Sequence, residues 1–136
     1  MRFVDTNVLL YAVSTARDEA DKASRARHVL DEADLALSVQ VLQEFYVQAT
    51  RRARADRLSH EQATALIESW LRFPAGQMTV PVMQASLAAV ERYRLSYWDA
   101  AVLESARALG CEIVLSEDFA HGRNYDGVTV LDPFRD

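Results

Sequence analysis

Phe3-Val4-Asp5-Thr6-Asn7-Val8-Leu9-Leu10 opens the chain with a short apolar run that halts at three polar residues and then resumes. Two apolar residues followed by Asp-Thr-Asn are too few for a helix and suit a short strand. Val8-Leu9-Leu10 then starts a helical pattern, with Asn7 as its expected N-cap. A strand that passes directly into a helix is the opening of a βα unit, so the rest of the chain is read for repetitions of it.

The repetitions are present. Ala23, Ala26, Val29, Leu30 and Ala33 recur at helical spacing between about Asp18 and Ala33, and Leu35-Ala36-Leu37-Ser38-Val39 is short and apolar enough to be a buried strand. A third helix carries Leu42, Phe45, Tyr46 and Ala49 on one face and runs into Arg51-Arg52-Ala53-Arg54. Ser59 with Gln62 has the form of a capping box for a helix bearing Ala63, Leu66, Ile67, Trp70 and Leu71, which ends near Pro74-Ala75-Gly76. That apolar face is expected to be core, with a portion able to receive a partner. Met78-Thr79-Val80 is a candidate strand. Helices follow over about Met83 to Tyr93 and about Tyr97 to Leu109, the second opened by Ser96 and closed by Gly110. Strands over Glu112 to Leu115 and Val128 to Leu131 complete an alternation that predicts one α/β domain over 1–136, with a mainly parallel central sheet and helices on both faces.

Composition narrows the function classes. At 136 residues, half of them hydrophobic, the chain has the material for one core. The longest apolar run, Val8 to Val13, is far below the roughly 20 residues of a membrane-spanning helix. Charge at Arg2 and Asp5 interrupts any signal-peptide hydrophobic stretch, which predicts a cytoplasmic protein. Cys111 is the only cysteine, so an intramolecular disulfide and a zinc-cysteine cluster are excluded, and the thiol is expected to be a small buried hydrophobe. His28, His60 and His121 have no metal-pair spacing and receive no role. The net charge of −5 argues against a nucleic-acid partner only if the acids are spread; four of them gathered in a site leave the remainder near −1.

The positions of the acids favour gathering. Asp5 follows the first strand, Glu44 lies in the opening turns of the helix after the second, Asp99 in the first turn of a helix, and Asp118 beyond the strand ending at Leu115. In an open α/β sheet, the crevice outside the carboxyl ends of the strands collects residues distant in sequence. Converging carboxylates repel unless a cation compensates them, and a hard divalent ion such as Mg2+ or Mn2+ prefers oxygen ligands and retains waters and phosphate oxygens. The chemistry such a site implies is hydrolysis of a phosphate ester. Each acid taken singly has a plainer reading: Asp5 and Asn7 as turn caps, Glu44 as a solvated helical carboxylate, Asp99 as the acidic partner of Ser96 in a capping box, Asp118 as a turn acid.

Asp5-Thr6-Asn7 after a short strand, Glu44 in the third helix, Tyr97-Trp98-Asp99-Ala100-Ala101 at a helix start and Leu115-Ser116-Glu117-Asp118-Phe119 after a strand together resemble PIN-domain ribonucleases. The nearest likeness is to VapC-type toxins of toxin-antitoxin pairs, to whose last strand and tail Gly127-Val128-Thr129-Val130-Leu131-Asp132-Pro133-Phe134 is similar. The resemblance implies a Mg2+- or Mn2+-dependent endoribonuclease, held inactive by a cognate antitoxin and forming a homodimer. Asp5, Glu44, Asp99 and Asp118 match its acidic quartet, with Glu117 adjoining the last, and Thr6, Asn7 and Ser116 would orient the ligands. With 14 arginines against one lysine, the chain has the side chains to contact RNA, and Arg51, Arg52, Arg54 and Arg57 form the densest group. Trp98 is either a base-stacking or a packing residue. Two other classes compete with the nuclease. One is a catalytically silent metal- or partner-binding module. The other is a phosphatase using Asp5 as nucleophile, against which stands Asn7 where a second aspartate is normally found.

Overall fold

Strands whose residues are apolar almost throughout have to be covered on both faces, and β1 and β2 are the clearest cases: Phe3, Val4 and all of Leu35–Ser38 are buried. The computed structural model describes all 136 residues. Their order is β1 (Arg2–Val4), α1 (Thr6–Ala12), α2 (Ala20–Leu30), β2 (Leu35–Ser38), α3 (Val39–Ala49), α4 (His60–Trp70), β3 (Ala75–Gly76), α5 (Val80–Tyr93), α6 (Tyr97–Ala108), β4 (Ile113–Leu115), β5 (Asn124–Tyr125) and β6 (Val128–Leu131). A single 3-10 turn, Arg17–Glu19, precedes α2.

The six strands form one sheet in the order β3-β2-β1-β4-β6-β5. All neighbours are parallel except β5 with β6. From β1 the chain winds outward through β2 to β3, then crosses back to place β4 on the other side of β1. Right-handed crossovers in opposite directions put the helices on opposite faces. Accordingly α1 packs on α2 and α3, and α3 on α4, whereas α6 packs against β2, β3, β4 and β6 with α5 alongside it. Phe45 of α3 meets Trp70 of α4 edge to face at 4.7 Å, joining these helices through the core. Cys111 is buried, as its surroundings in sequence predict.

Three local expectations are corrected. Asp5, not Asn7, caps α1: its backbone is extended and its side chain accepts from Thr6 N at 2.7 Å. Met78-Thr79-Val80 is not a strand. Its β-branched residues suit one, but Pro81 has no N–H and fixed φ, and both properties favour the first turn of a helix. Thr79 therefore caps α5, accepting from Val82 N at 3.3 Å. The strand on that edge is Ala75–Gly76, where a Cβ on Gly76 would stand 3.1 Å from Leu109 Cδ1. The third correction is β5, absent from the sequence reading although Asp126-Gly127 is a two-residue hairpin signal. Both residues have positive φ (53° and 99°), as a turn matched to strand twist requires.

Candidate metal and nuclease site

The crossing-back of the chain opens a crevice beyond the carboxyl ends of β1, β2 and β4. Val4 ends β1 and delivers Asp5, Ser38 ends β2 and starts α3, and Leu115 ends β4 and delivers Ser116 to Asp118. Because α6 feeds the parallel strand β4, it runs back toward the other edge, and its N-terminus, with Asp99 in the first turn, starts at the carboxyl edge. Asp5, Glu44, Asp99 and Asp118 consequently line one cleft of about 540 Å3, together with Thr6, Gln40, Gln43, Gln48, Trp98 and Val102.

Each carboxylate is held differently. Asp5 is 5% exposed and accepts from Thr6 N, from Ser116 Oγ at 2.7 Å and from Asn7 Nδ2 at 3.5 Å. Burial pushes its pKa up from 3.8 to about 7 against the lowering effect of the Ser116 and Thr6 hydrogen bonds, with the Asp118 and Glu44 charges adding to the rise. Asp99 is raised too, chiefly by burial and then by Asp118, although Ser96, whose Oγ caps the helix by accepting from Asp99 N, opposes the shift. Glu44 has one donor on each oxygen: Thr6 Oγ1 at 3.0 Å on Oε2 and Gln40 Nε2 at 3.1 Å on Oε1. Asp118 accepts from Asn7 Nδ2 at 3.2 Å, and its own N–H donates to Ser116 Oγ at 3.1 Å.

Glu117 is placed elsewhere. Tyr11 Oη donates to its Oε1 at 2.6 Å and Lys22, the single lysine, to its Oε2 at 2.9 Å. Lys22 also sits 4.8 Å from the Tyr11 ring centre, and Phe134 of the tail packs edge to face on Tyr11. Glu117 lines a separate pocket with Asn7, Tyr11 and Arg54, while its neighbour Asp118 lines the acidic cleft.

Gln40 escaped the sequence reading. It stands four residues before Glu44, a helical i,i+4 relation that was the available signal. Its amide NH2 faces the carboxylate, since a carbonyl there would be repelled, and its Oε1 is left buried without a partner. Asn7 Oδ1 is in the same state, and these are the only two such side-chain atoms in the protein. Both amides direct their NH2 at acids of the cleft.

An all-oxygen donor set with a buried carboxyl of raised pKa suits a hard cation. No three His, Cys, Asp or Glu side chains stand close enough to enclose an ion. Magnesium, however, usually takes one or two carboxylates and fills its remaining positions with water and phosphate oxygens, so closure by three is not required.

Among the basic residues, Arg51, Arg52 and Arg57 are exposed. Arg54, expected to face RNA with them, is instead committed within the chain: it pairs with Asp56 at 2.9 Å and reaches Leu10 O at 3.4 Å, while Asp56 accepts from Thr15 N. The α4 face is also less buried than expected. Trp70 is core, but Leu71 is 46% exposed and joins Val39, Leu42, Tyr46, Val47 and Ile67 in an apolar groove of about 700 Å3.

A family model described as PIN domain matches residues 2–126. The chain belongs to the PIN-domain family. Solved structures similar to this PIN domain include a toxin-antitoxin complex from Klebsiella pneumoniae, at 20% identity and TM-score 0.70 over 98% of each chain. Mycobacterium tuberculosis VapC20, described as a sarcin-ricin loop cleaving toxin, is similar at 18% identity and TM-score 0.67 over 87% of this chain and 92% of its own. FitAcB from Neisseria gonorrhoeae is similar at 16% identity and TM-score 0.63 over 98% and 99%. At these identities the likeness is one of fold. No curated protein matches the sequence. No helix of the PIN domain is long and apolar enough to cross a membrane.

Proposed function

We propose that the protein is a divalent-metal-dependent endoribonuclease and the toxin of a toxin-antitoxin pair. The observation that carries this reading is the convergence of Asp5, Glu44, Asp99 and Asp118, from four separate segments, on one cleft at the carboxyl edge of the sheet. Membership of the PIN family and the fold shared with VapC20 and the Klebsiella toxin-antitoxin complex support it.

Asp5 and Asp99 are the principal residues to hold Mg2+ or Mn2+, with Glu44 and Asp118 completing the acidic set. When bound, the ion would supply Lewis-acid stabilisation of phosphate charge and activation of water. The protein's own groups do the rest. Ser116 and the Thr6 N–H fix the two oxygens of Asp5, Thr6 Oγ1 and Gln40 fix those of Glu44, and Asn7 ties Asp118 to Ser116. Groups locked in this way lose little freedom when substrate arrives, which is where positioning lowers a barrier. Burial keeps Asp5 protonated in part near neutrality, so cation and proton compete for it. Arg51, Arg52 and Arg57, just beyond α3, would meet RNA phosphates outside the cleft. The antitoxin would cover the apolar α3–α4 groove, and a homodimer is expected.

The test is cleavage of a mixed pool of structured RNAs by antitoxin-free protein with Mg2+, Mn2+ or chelator, beside Asp5→Asn and Asp99→Asn. Cutting that needs both metal and both carboxylates is the expected result. Folded, metal-bound protein that cuts no RNA would leave a silent binding module as the better account.

A further inference from the structure

The acidic cleft has lining residues that its carboxylates do not explain. Its lining residues include no arginine, lysine or histidine. A polyanion entering it therefore meets no side-chain cation, and whatever the acids hold by way of a metal can grip only the phosphate nearest to it. Inside the cleft, affinity for the neighbouring nucleotide has to come from uncharged contacts. The lining supplies two kinds. Trp98, one residue before Asp99, is 61% exposed, the most exposed aromatic side chain among the large hydrophobic residues of the surface. It stands edge to face on Tyr97 with ring centres 5.1 Å apart, a contact that steadies the indole. Gln43 and Gln48 of α3 line the same cleft, and their side-chain amides, unlike that of Gln40, are not engaged in hydrogen bonds within the chain.

An exposed indole and two free amides lining one cleft of about 540 Å3 are the groups that bind a flat heterocycle with donors and acceptors on its edge. Unpaired RNA bases are recognised in this manner, by stacking on an aromatic ring and by hydrogen bonds to the exposed base edge. A paired base is unsuitable, since its edge is occupied and its faces are stacked.

We propose that Trp98, Gln43 and Gln48 form a subsite for one unpaired nucleobase, which stacks on the indole and is read along its edge by the two amides, so that the adjoining phosphate lies over the acids. This rests on the nuclease reading and adds to it the side chains that hold and select one base beside the cut. Trp98 and the glutamines are binding and specificity residues here, distinct from the carboxylates.

The test uses the full chain and an RNA that the wild-type protein cuts at a mapped site. Trp98→Ala should raise KM by about ten- to a hundred-fold, the loss that removing one base-aromatic stack produces, and Trp98→Phe should recover much of it. Gln43→Ala or Gln48→Ala should broaden the base tolerated at one position beside the cut, a change that a merely structural role would not produce. Iodide should quench Trp98 emission in the free protein, against a Trp98→Phe control that leaves only buried Trp70, and an unstructured oligoribonucleotide added with chelator should protect it. Unchanged KM in Trp98→Ala together with unchanged base preference in both glutamine variants overturns the subsite while leaving the nuclease intact. A Trp98 that iodide cannot reach because the protein is dimeric also overturns it, by showing a second copy over the indole. Failure of the wild-type protein to cut any RNA instead refutes the reading on which the subsite rests.

Discussion

Replacing Asp5 by asparagine should make the metal-free protein more stable while abolishing the proposed RNA cleavage. The buried carboxyl has a pKa raised from 3.8 to about 7. The sign follows from proton binding: the folded state holds this proton more tightly than the unfolded one, so Asp5 is without penalty below about pH 4. Stability then falls as pH rises toward 7 and levels off above it. At 1.36 kcal/mol for each pH unit between the two values, ionised Asp5 costs the folded state about 4 kcal/mol at pH 8. Asparagine stands in for the neutral carboxyl and can still accept from Thr6 N. Its NH2, however, faces Ser116 Oγ and Asn7 Nδ2, a mismatch of about 1 kcal/mol. The net gain is about 3 kcal/mol at pH 8 and about 1 kcal/mol or less at pH 5, where wild-type Asp5 is already protonated. For a chain of this size the pH 8 gain corresponds to a rise in Tm of roughly 10 °C. Denaturant melts of both proteins with chelator at pH 5 and pH 8 give the comparison. Adding Mg2+ at pH 8 should then stabilise wild type and not the variant, since the cation favours the ionised carboxylate. A variant no more stable than wild type at pH 8, or one with the same gain at both pH values, would refute the claim that a buried, uncompensated carboxylate sits at the centre of the cleft.

Two further outcomes test how the acids are held. Gln40→Leu removes a donor to Glu44 and, with it, a buried carbonyl that has no partner, so the two effects offset and stability should change by less than about 1 kcal/mol. Metal affinity, read by calorimetry, should nevertheless weaken several-fold, whereas Gln40→Glu, which adds a carboxylate, should strengthen it. Lys22→Met frees Glu117 from its half-buried ion pair at a cost of about 1 kcal/mol, but should lower the proposed RNA cleavage markedly through misplacement of adjoining Asp118. Partial recovery in Lys22→Arg, measured on the same RNA, separates that positioning effect from general loosening.

Local order was legible in the chain. The strand endings at Val4 and Leu115, the Ser59–Gln62 capping box and the Ser96 cap are set by residues no more than a few positions apart, so periodicity and cap chemistry suffice to place them. The misreadings were also local conflicts. Met78-Thr79-Val80 has strand propensity, which the fixed φ of Pro81 overrode, and Asp126-Gly127 marks a hairpin too short to register as alternation. Family membership could be suspected from four short motifs in order, because a sheet wound in this sense brings strand ends together whatever lies between.

The amino-acid order by itself determined the βα alternation, the identity of the acids and the expectation that strand ends would carry them. Tertiary structure decided which groups those acids meet. Asp5 bonds Ser116 across 111 positions, Thr6 reaches Glu44 across 38 and Lys22 holds Glu117 across 95. These contacts assign Asp118 rather than Glu117 to the cleft, join Gln40 to Glu44 and bury Asp5. The pairing of Arg54 with Asp56 likewise depends on a loop folding back onto Thr15 and Leu10. Spacing in sequence specifies helix faces and strand ends through interactions a few residues long. The electrostatics of a site depend on burial and on partners chosen by topology, and these exist only once the sheet has closed.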